Sequence, residues 1–135
     1  MSATYISAVL RRLVKQRAQF HCEYCQLPDD VSFQAHQIDH VIAEKHQGIT
    51  EESNLAYACW RCNLHKGSDV GTFDADTNDF IFLFNSRAQV WEEHFVFDGA
   101  IINGLTPEGR VTAQLLQMNS GESLAERQLI RQYLR

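Results

Sequence analysis

Two Cys-x-x-Cys pairs are the feature that most constrains how this chain can fold. They are Cys22-Glu-Tyr-Cys25 and Cys59-Trp-Arg-Cys62, and the 135 residues contain no other cysteine. Four thiolates paired in this way form the tetrahedral ligand set of a structural zinc ion. The pairs are separated by 33 residues (26–58), whereas a single zinc ribbon separates its pairs by roughly 15 to 20. A zinc ion bound here would therefore close a loop long enough to carry a second site.

Two other uses of the cysteines remain open, namely two disulfides or a redox-active dithiol. The N-terminal segment 1–12 shows no apolar signal core followed by a small-residue cleavage site. Disulfides are rare in proteins that remain in a reducing compartment. The sequence therefore favours zinc over disulfides and predicts a cytoplasmic protein.

The loop between the pairs carries residues suited to phosphodiester hydrolysis. Asp39 and His40 are adjacent and follow a partly apolar run, 31–38, that we expect to form a strand. Neighbouring residues on a strand point to opposite faces, so one side chain can hold a metal ion while the other addresses a substrate. Hydrolysis at neutral pH needs an activated water, a cation and a residue that fixes the base. His40, Asp39 and Asn54 can fill these roles.

An ordered set of short motifs around the cysteine pairs resembles the His-Asn-His (HNH) endonuclease motif with zinc knuckles. The motifs are Asp39-His40, Asn54-Leu55 and Asn63-x-x-Lys66-Gly67. The resemblance covers about residues 20–70, and the whole chain is similar to small stand-alone bacterial HNH proteins. It implies an α+β fold built on a ββα-metal finger, in which a hairpin with a long loop and a following helix hold one catalytic divalent cation.

The resemblance also implies a role for each motif residue. His40 is the expected general base, and Asn54 is expected to hold the loop that follows His40. Asp39 and Asn63 are the expected ligands of the catalytic ion, Asn63 standing where such proteins carry His or Asn. A carboxylate and an amide oxygen suit Mg²⁺ or Mn²⁺ better than they suit zinc.

Three further side chains lie within the predicted helix 60–66. Lys66 follows Asn63 by three residues, which places both on one helix face, and we expect Lys66 to contact a substrate phosphate. Arg61 is expected to add positive charge for the same purpose. His65 is an alternative metal ligand, but residues two apart on a helix do not share a face, so Asn63 is preferred.

The charge distribution argues against a long nucleic-acid footprint. The formal net charge is −5, whereas nucleic-acid-binding proteins usually present a basic surface. Residues 1–25 carry four basic side chains and one acidic one, while residues 71–135 carry nine acids and five arginines. The expected partner is nucleic acid, in the first place DNA, bound through few phosphates unless a second copy of the chain or another protein extends the contact.

Length and apolar patterning predict one domain over 1–135 with its motif core at about 20–70. No apolar stretch approaches the roughly 18 residues that a membrane-spanning helix needs. Helical spacing of apolar residues predicts an amphipathic N-terminal helix over about 4–18. For the C-terminal scaffold, 71–135, we expect a buried strand at 80–84, a helix at 88–95, a type I′ hairpin turn at Asp98-Gly99, a helix capped at Thr106-Pro107, and a helix from about Ser123.

A function of a different class competes with catalysis, namely a non-catalytic zinc module that binds nucleic acid or protein and keeps an HNH-like shape. All four motif positions, Asp39, His40, Asn54 and Asn63, are filled by suitable residues. A decayed nuclease would be expected to lose at least one of them, so the sequence favours the enzyme.

Overall fold

The computed structural model describes residues 4–133. This range contains five α-helices and three antiparallel hairpins, joined by loops and short 3₁₀ turns. The predicted α+β class is confirmed. No helix within the described range is long and apolar enough to cross a membrane. In chain order the elements are α1 (Ala8–Arg17), β1 (Gln37–His40), β2 (Leu55–Ala58), α2 (Trp60–Lys66), β3 (Gly71–Phe73), β4 (Phe80–Phe82), α3 (Trp91–His94), β5 (Phe95–Asp98), β6 (Ile101–Gly104), α4 (Pro107–Leu115) and α5 (Gly121–Tyr133).

Helix α1 lies within the predicted range of about 4–18, but it begins only at Ala8, because Ser7 caps it and residues 4–7 are not helical. The Ser7 hydroxyl caps its first turn by accepting a hydrogen bond from the Leu10 N–H at 3.2 Å. Its inner face buries Val14 against Leu55 and Tyr57 of β2. The helix therefore covers one face of the β1–β2 hairpin.

The β1–β2 hairpin presents two different faces to the rest of the protein. Its register pairs His40 with Leu55 and Gln37 with Ala58. Leu55 and Tyr57 face α1, whereas Ala56 and Ala58 belong to the main hydrophobic core. Because strand residues alternate, adjacent residues of β1 are sent to opposite sides of the hairpin.

The predicted strand 31–38 is wrong at both ends. Residues Asp29–Val31 form a 3₁₀ turn, and strand pairing begins only at Gln37 and runs through His40. The partner strand sets this limit, because β2 has four residues and is followed by Cys59, which caps α2. A strand extends only where a neighbour accepts its hydrogen bonds.

Helix α2 has the predicted bounds. The Cys59 sulfur accepts a hydrogen bond from the Cys62 N–H at 3.4 Å and so caps the N-terminus. Gly67 ends the helix with a φ of 51°, a backbone conformation that other residues adopt only with strain. Both signals are local in sequence, which explains why this helix is predictable.

The β3–β4 hairpin corrects the predicted buried strand at 80–84. Only Phe80–Phe82 is a strand, and Phe80 and Phe82 are exposed and stack edge to face. Within the run 80–84, the buried side chains are those of Leu83 and Phe84, which follow the strand. The partner strand β3 was not predicted from the sequence.

The remaining C-terminal predictions hold with shifted bounds. The β5–β6 hairpin turns at Gly99-Ala100 rather than Asp98-Gly99, and only Gly99 has a positive φ, 60°, which fits type II′ instead of type I′. Helix α4 is capped by Thr106 and begins at Pro107 as predicted. Helix α3 is shorter than predicted, and α5 begins at Gly121, two residues earlier.

The main hydrophobic core joins the cysteine region to the C-terminal half. Side chains from the two Cys-x-x-Cys pairs pack in one cluster with Phe84, Phe95, Ile102 and Met118. The segment after residue 70 therefore shields the cysteines from solvent.

Candidate metal-binding and catalytic site

The four cysteines come together as one buried cluster of free thiols. Their sulfur atoms all lie within 4.8 Å of one another, and Cys25 Sγ and Cys59 Sγ are 3.6 Å apart. A tetrahedral zinc ion with Zn–S bonds of about 2.3 Å separates its sulfurs by roughly 3.8 Å. The donor chemistry and the spacing both fit a structural metal ion of this kind.

Main-chain N–H groups support the sulfurs. Tyr24 and Cys25 donate to Cys22 Sγ, each at 3.4 Å. Such bonds favour the charged thiolate form that a metal requires. Hydrogen bonds from the neighbouring thiols lower the pKa of Cys59, whereas burial raises the pKa of Cys22.

Arg127 of α5 closes the other side of the cluster. Its side chain is buried beside Cys25, Cys59 and Cys62. Burial lowers its pKa, and the cysteine charges oppose that shift. Its guanidinium donates to the Ala100 carbonyl at 2.6 Å. A cation thus lies next to four sulfurs that carry a net negative charge even when a divalent ion is bound.

Asp39 lies on the core side of the hairpin and is 4% exposed. The Tyr24 hydroxyl donates to Asp39 Oδ2 at 3.0 Å. Lys66 Nζ is 3.2 Å from Oδ2 and donates to the His40 carbonyl at 3.0 Å. Burial raises the pKa of Asp39, and the Lys66 ammonium opposes the shift. Lys66, which we predicted at a substrate phosphate, is itself buried and neutralises Asp39.

His40 follows Asp39 and is directed to the opposite side of the strand. Its Nε2 is 2.9 Å from the Thr50 hydroxyl. The residue is buried, with 7% of its surface exposed. Its Nδ1 makes no hydrogen bond to residues 4–133, and it is not one of their fully enclosed unpaired atoms. One ring nitrogen is therefore held by Thr50, while the other has no partner within the described residues.

Asn54 fixes the backbone of the loop that follows His40. Its Oδ1 accepts from the Ile42 N–H, and its Nδ2 donates to the carbonyls of Ile42 and Ile49, all within 2.9 Å. Gly48 completes this close packing, because a Cβ there would lie 1.7 Å from the Ile42 oxygen. Asn54 therefore ties Ile42 to Ile49 across the loop between them.

Asn63 and His65 have different surroundings on α2. Asn63 Nδ2 donates to Gln37 Oε1 at 2.7 Å. Gln37 precedes Asp39 by two residues on β1 and therefore shares its face. The structure thus brings Asn63 to the Asp39 side of the hairpin. His65 is half-buried, and its imidazole makes no hydrogen bond to the described residues.

Arg61 is engaged inside the protein. It forms an ion pair with Glu126 of α5, lies 3.8 Å from Glu122, and stacks over Trp60. These ion pairs therefore connect α2 to α5.

Part of the chain is similar to a known protein family. The family model described as HNH endonuclease matches residues 22–69, which are 48 of the 135 residues. The matched segment contains both cysteine pairs, β1, β2 and α2. No curated protein and no solved structure matches the chain significantly.

Four partners in this region escaped the sequence analysis: Tyr24 at Asp39, Thr50 at His40, Gln37 at Asn63 and Arg127 at the cysteines. Gln37 had a usable signal, because strand alternation places it on the Asp39 face. The other three contacts join segments 10 or more residues apart, and no local pattern marks them.

Proposed function

We propose that the protein is a metal-dependent HNH endonuclease that hydrolyses phosphodiester bonds of DNA in a ββα-metal finger formed by β1, β2 and α2. The observation that carries the proposal is the arrangement at the end of β1. There a buried carboxylate and an imidazole with one unpaired ring nitrogen are neighbours in the chain, and each is held by its own hydrogen-bond partner. Acid–base and metal-assisted hydrolysis need these two groups together.

Asp39 and Asn63 are the residues that would hold the catalytic divalent ion. Their carboxylate and amide oxygens are hard donors that suit Mg²⁺ or Mn²⁺. Bound there, such an ion supplies positive charge against the scissile phosphate and the departing 3′ oxygen. The four cysteines hold a separate, structural zinc ion.

His40 acts as the general base. With Nε2–H donated to Thr50, the free Nδ1 is the atom that accepts the proton of the attacking water. Asn54 keeps the loop carrying Thr50 in place through its contacts with Ile42 and Ile49. The expected products carry 5′-phosphate and 3′-hydroxyl ends.

Lys66 supplies a second positive charge at this site. If Asp39 held a divalent ion, Lys66 would lose its attraction to that carboxylate and could take a substrate phosphate as an alternative partner. Arg61 reaches a phosphate only by giving up its contact with Glu126. With the net charge of −5, few phosphate contacts are expected, and binding should weaken steeply with salt.

Cleavage of supercoiled plasmid at low salt tests the function. We expect nicking with Mg²⁺ or Mn²⁺ and none with EDTA, because the phosphate charge is then uncompensated. Single-stranded DNA and RNA serve as comparison substrates. If the zinc-loaded, folded protein binds DNA but cleaves none of these substrates with either ion, it is a binding module and the proposal fails.

Replacing Asn54 with alanine should lower both stability and activity. The change leaves three main-chain groups of Ile42 and Ile49 without their partner, which costs about 2–4 kcal/mol in the free energy of unfolding. The loop behind His40 then loses its fixed shape, so the cleavage rate should also fall. Urea denaturation and plasmid nicking measure the two effects.

Asn119 offers a matched control for that experiment. Its side chain accepts from the Ile102 N–H at 2.9 Å and donates to the Ile102 carbonyl at 2.8 Å, in the C-terminal half. Asn119→Ala should lose a similar amount of stability and keep its cleavage rate under conditions where it is folded. Equal losses of activity in both variants would mean that Asn54 contributes to stability and has no separate role in catalysis.

A further inference from the structure

Tyr24 connects the cysteine cluster to Asp39. Its main-chain N–H donates to Cys22 Sγ at 3.4 Å, and its hydroxyl donates to Asp39 Oδ2 at 3.0 Å. The side chain has no exposed surface. One residue of the first Cys-x-x-Cys pair therefore touches a cysteine ligand and an expected ligand of the catalytic ion.

The position of the Tyr24 hydroxyl is fixed by its surroundings. The residue lies between Cys22 and Cys25, and its carbonyl accepts a hydrogen bond from Trp91 Nε1 at 2.8 Å. The ring is packed in the main core. A buried ring held at its backbone has little rotational freedom, so the hydroxyl is a rigid donor.

Two side chains within residues 4–133 form a hydrogen bond or an ion pair with the Asp39 carboxylate. We expect them to respond differently to a metal ion. Lys66 is a cation and competes with a divalent ion for the same oxygens. Tyr24 is neutral, donates a single hydrogen bond and leaves the other lone pairs of the carboxylate available. Tyr24 is thus the contact that is compatible with metal binding.

We infer that Tyr24 is a positioning residue for the catalytic ion: it holds the Asp39 carboxylate in the orientation that binds the divalent cation. A hydrogen bond to a metal-ligating carboxylate fixes its direction before the ion arrives. The inference rests on the proposed role of Asp39 as a metal ligand.

The test is Mn²⁺ binding to zinc-loaded protein, followed by electron paramagnetic resonance. Tyr24→Phe removes the hydroxyl and keeps the ring, so the packing is retained. We expect the Mn²⁺ affinity to fall about 10- to 100-fold, as for other partners of metal ligands. The zinc content should remain at the wild-type value. In cleavage assays the loss should be larger at limiting than at saturating Mn²⁺.

Tyr57→Phe is the matched control. The Tyr57 hydroxyl also donates to a carboxylate, Asp29 Oδ2, at 2.8 Å, but it lies on the α1 side of the hairpin. This variant should bind Mn²⁺ as wild type does. A loss equal to that of Tyr24→Phe would mean general destabilisation and would overturn the inference, as would a loss of zinc from Tyr24→Phe.

The variant Asp39→Asn distinguishes a failure of this inference from a failure of the proposed metal site. Unchanged Mn²⁺ binding in Asp39→Asn would mean that Asp39 is not a ligand, which would overturn both the proposed metal site and the role of Tyr24. Weakened binding in Asp39→Asn together with wild-type binding in Tyr24→Phe would overturn the role of Tyr24 alone. Weakened binding in both, with Tyr57→Phe unaffected, supports it.

Discussion

Replacing His40 with alanine should lower the rate of metal-dependent cleavage by about 10²- to 10⁴-fold, the usual contribution of general acid–base catalysis. In the proposed mechanism the imidazole accepts the proton of the attacking water, and its Nε2 is held by the Thr50 hydroxyl. Plasmid nicking under single-turnover conditions measures the loss. Mn²⁺ binding should change little, because the proposed ligands Asp39 and Asn63 remain.

His36 provides the control for the loss of a buried histidine. It precedes β1, and its Nε2 contacts the Leu27 carbonyl at 2.8 Å, while its ring packs on Tyr57. His36→Ala should reduce stability and leave the cleavage rate of the folded protein near wild type. A His40→Ala variant that cleaves at the wild-type rate would remove His40 as the base.

Loss of the zinc ligands should have the largest effect on stability. Structural zinc contributes on the order of 10 kcal/mol to folds of this kind, which is comparable to the whole stability of a typical domain, about 5–15 kcal/mol. We therefore expect Cys59→Ser, or treatment with a strong chelator, to unfold the segment 22–69. Circular dichroism and metal analysis, with one zinc per chain in wild type, measure the change.

A conservative variant and a thiol titration provide two further tests of the zinc site. Cys59→His retains a ligand that zinc accepts and should keep more zinc and more structure than Cys59→Ser. Thiol titration should find the four cysteines protected until a chelator is added, which also distinguishes a zinc site from a redox dithiol. A soluble Cys59→Ser protein with an unchanged melting temperature would contradict the structural metal site.

Local signals explain which elements were predictable from sequence. Helix α2 has the predicted bounds because Cys59 and Gly67 mark its two ends within a few residues of chain. Helix α4 likewise begins at the expected Thr106-Pro107 cap. By contrast, the strand expected at 31–38 and the buried run at 80–84 were wrong, because pairing partners elsewhere in the chain decide where a strand begins and which face is buried.

For the side chains of α2, the sequence predicts the helix face but not the contact partners. Helical spacing correctly places Asn63 and Lys66 on one face, and both contact residues of β1. It does not reveal that Lys66 is 2% exposed and paired with Asp39, or that α5 brings Glu126 to Arg61. Such partners come from segments 27 or more residues away.

The sequence by itself determined the four-cysteine ligand set, the match to the HNH family and the order of hairpin and helix, because these depend on the spacing of residues along the chain. The tertiary structure alone decided that Tyr24 holds Asp39, that Thr50 holds His40, and that Arg127 lies beside the cysteines. Each of these contacts is selected by how distant segments pack into a common core, and packing leaves no periodic signal in the residues that it joins.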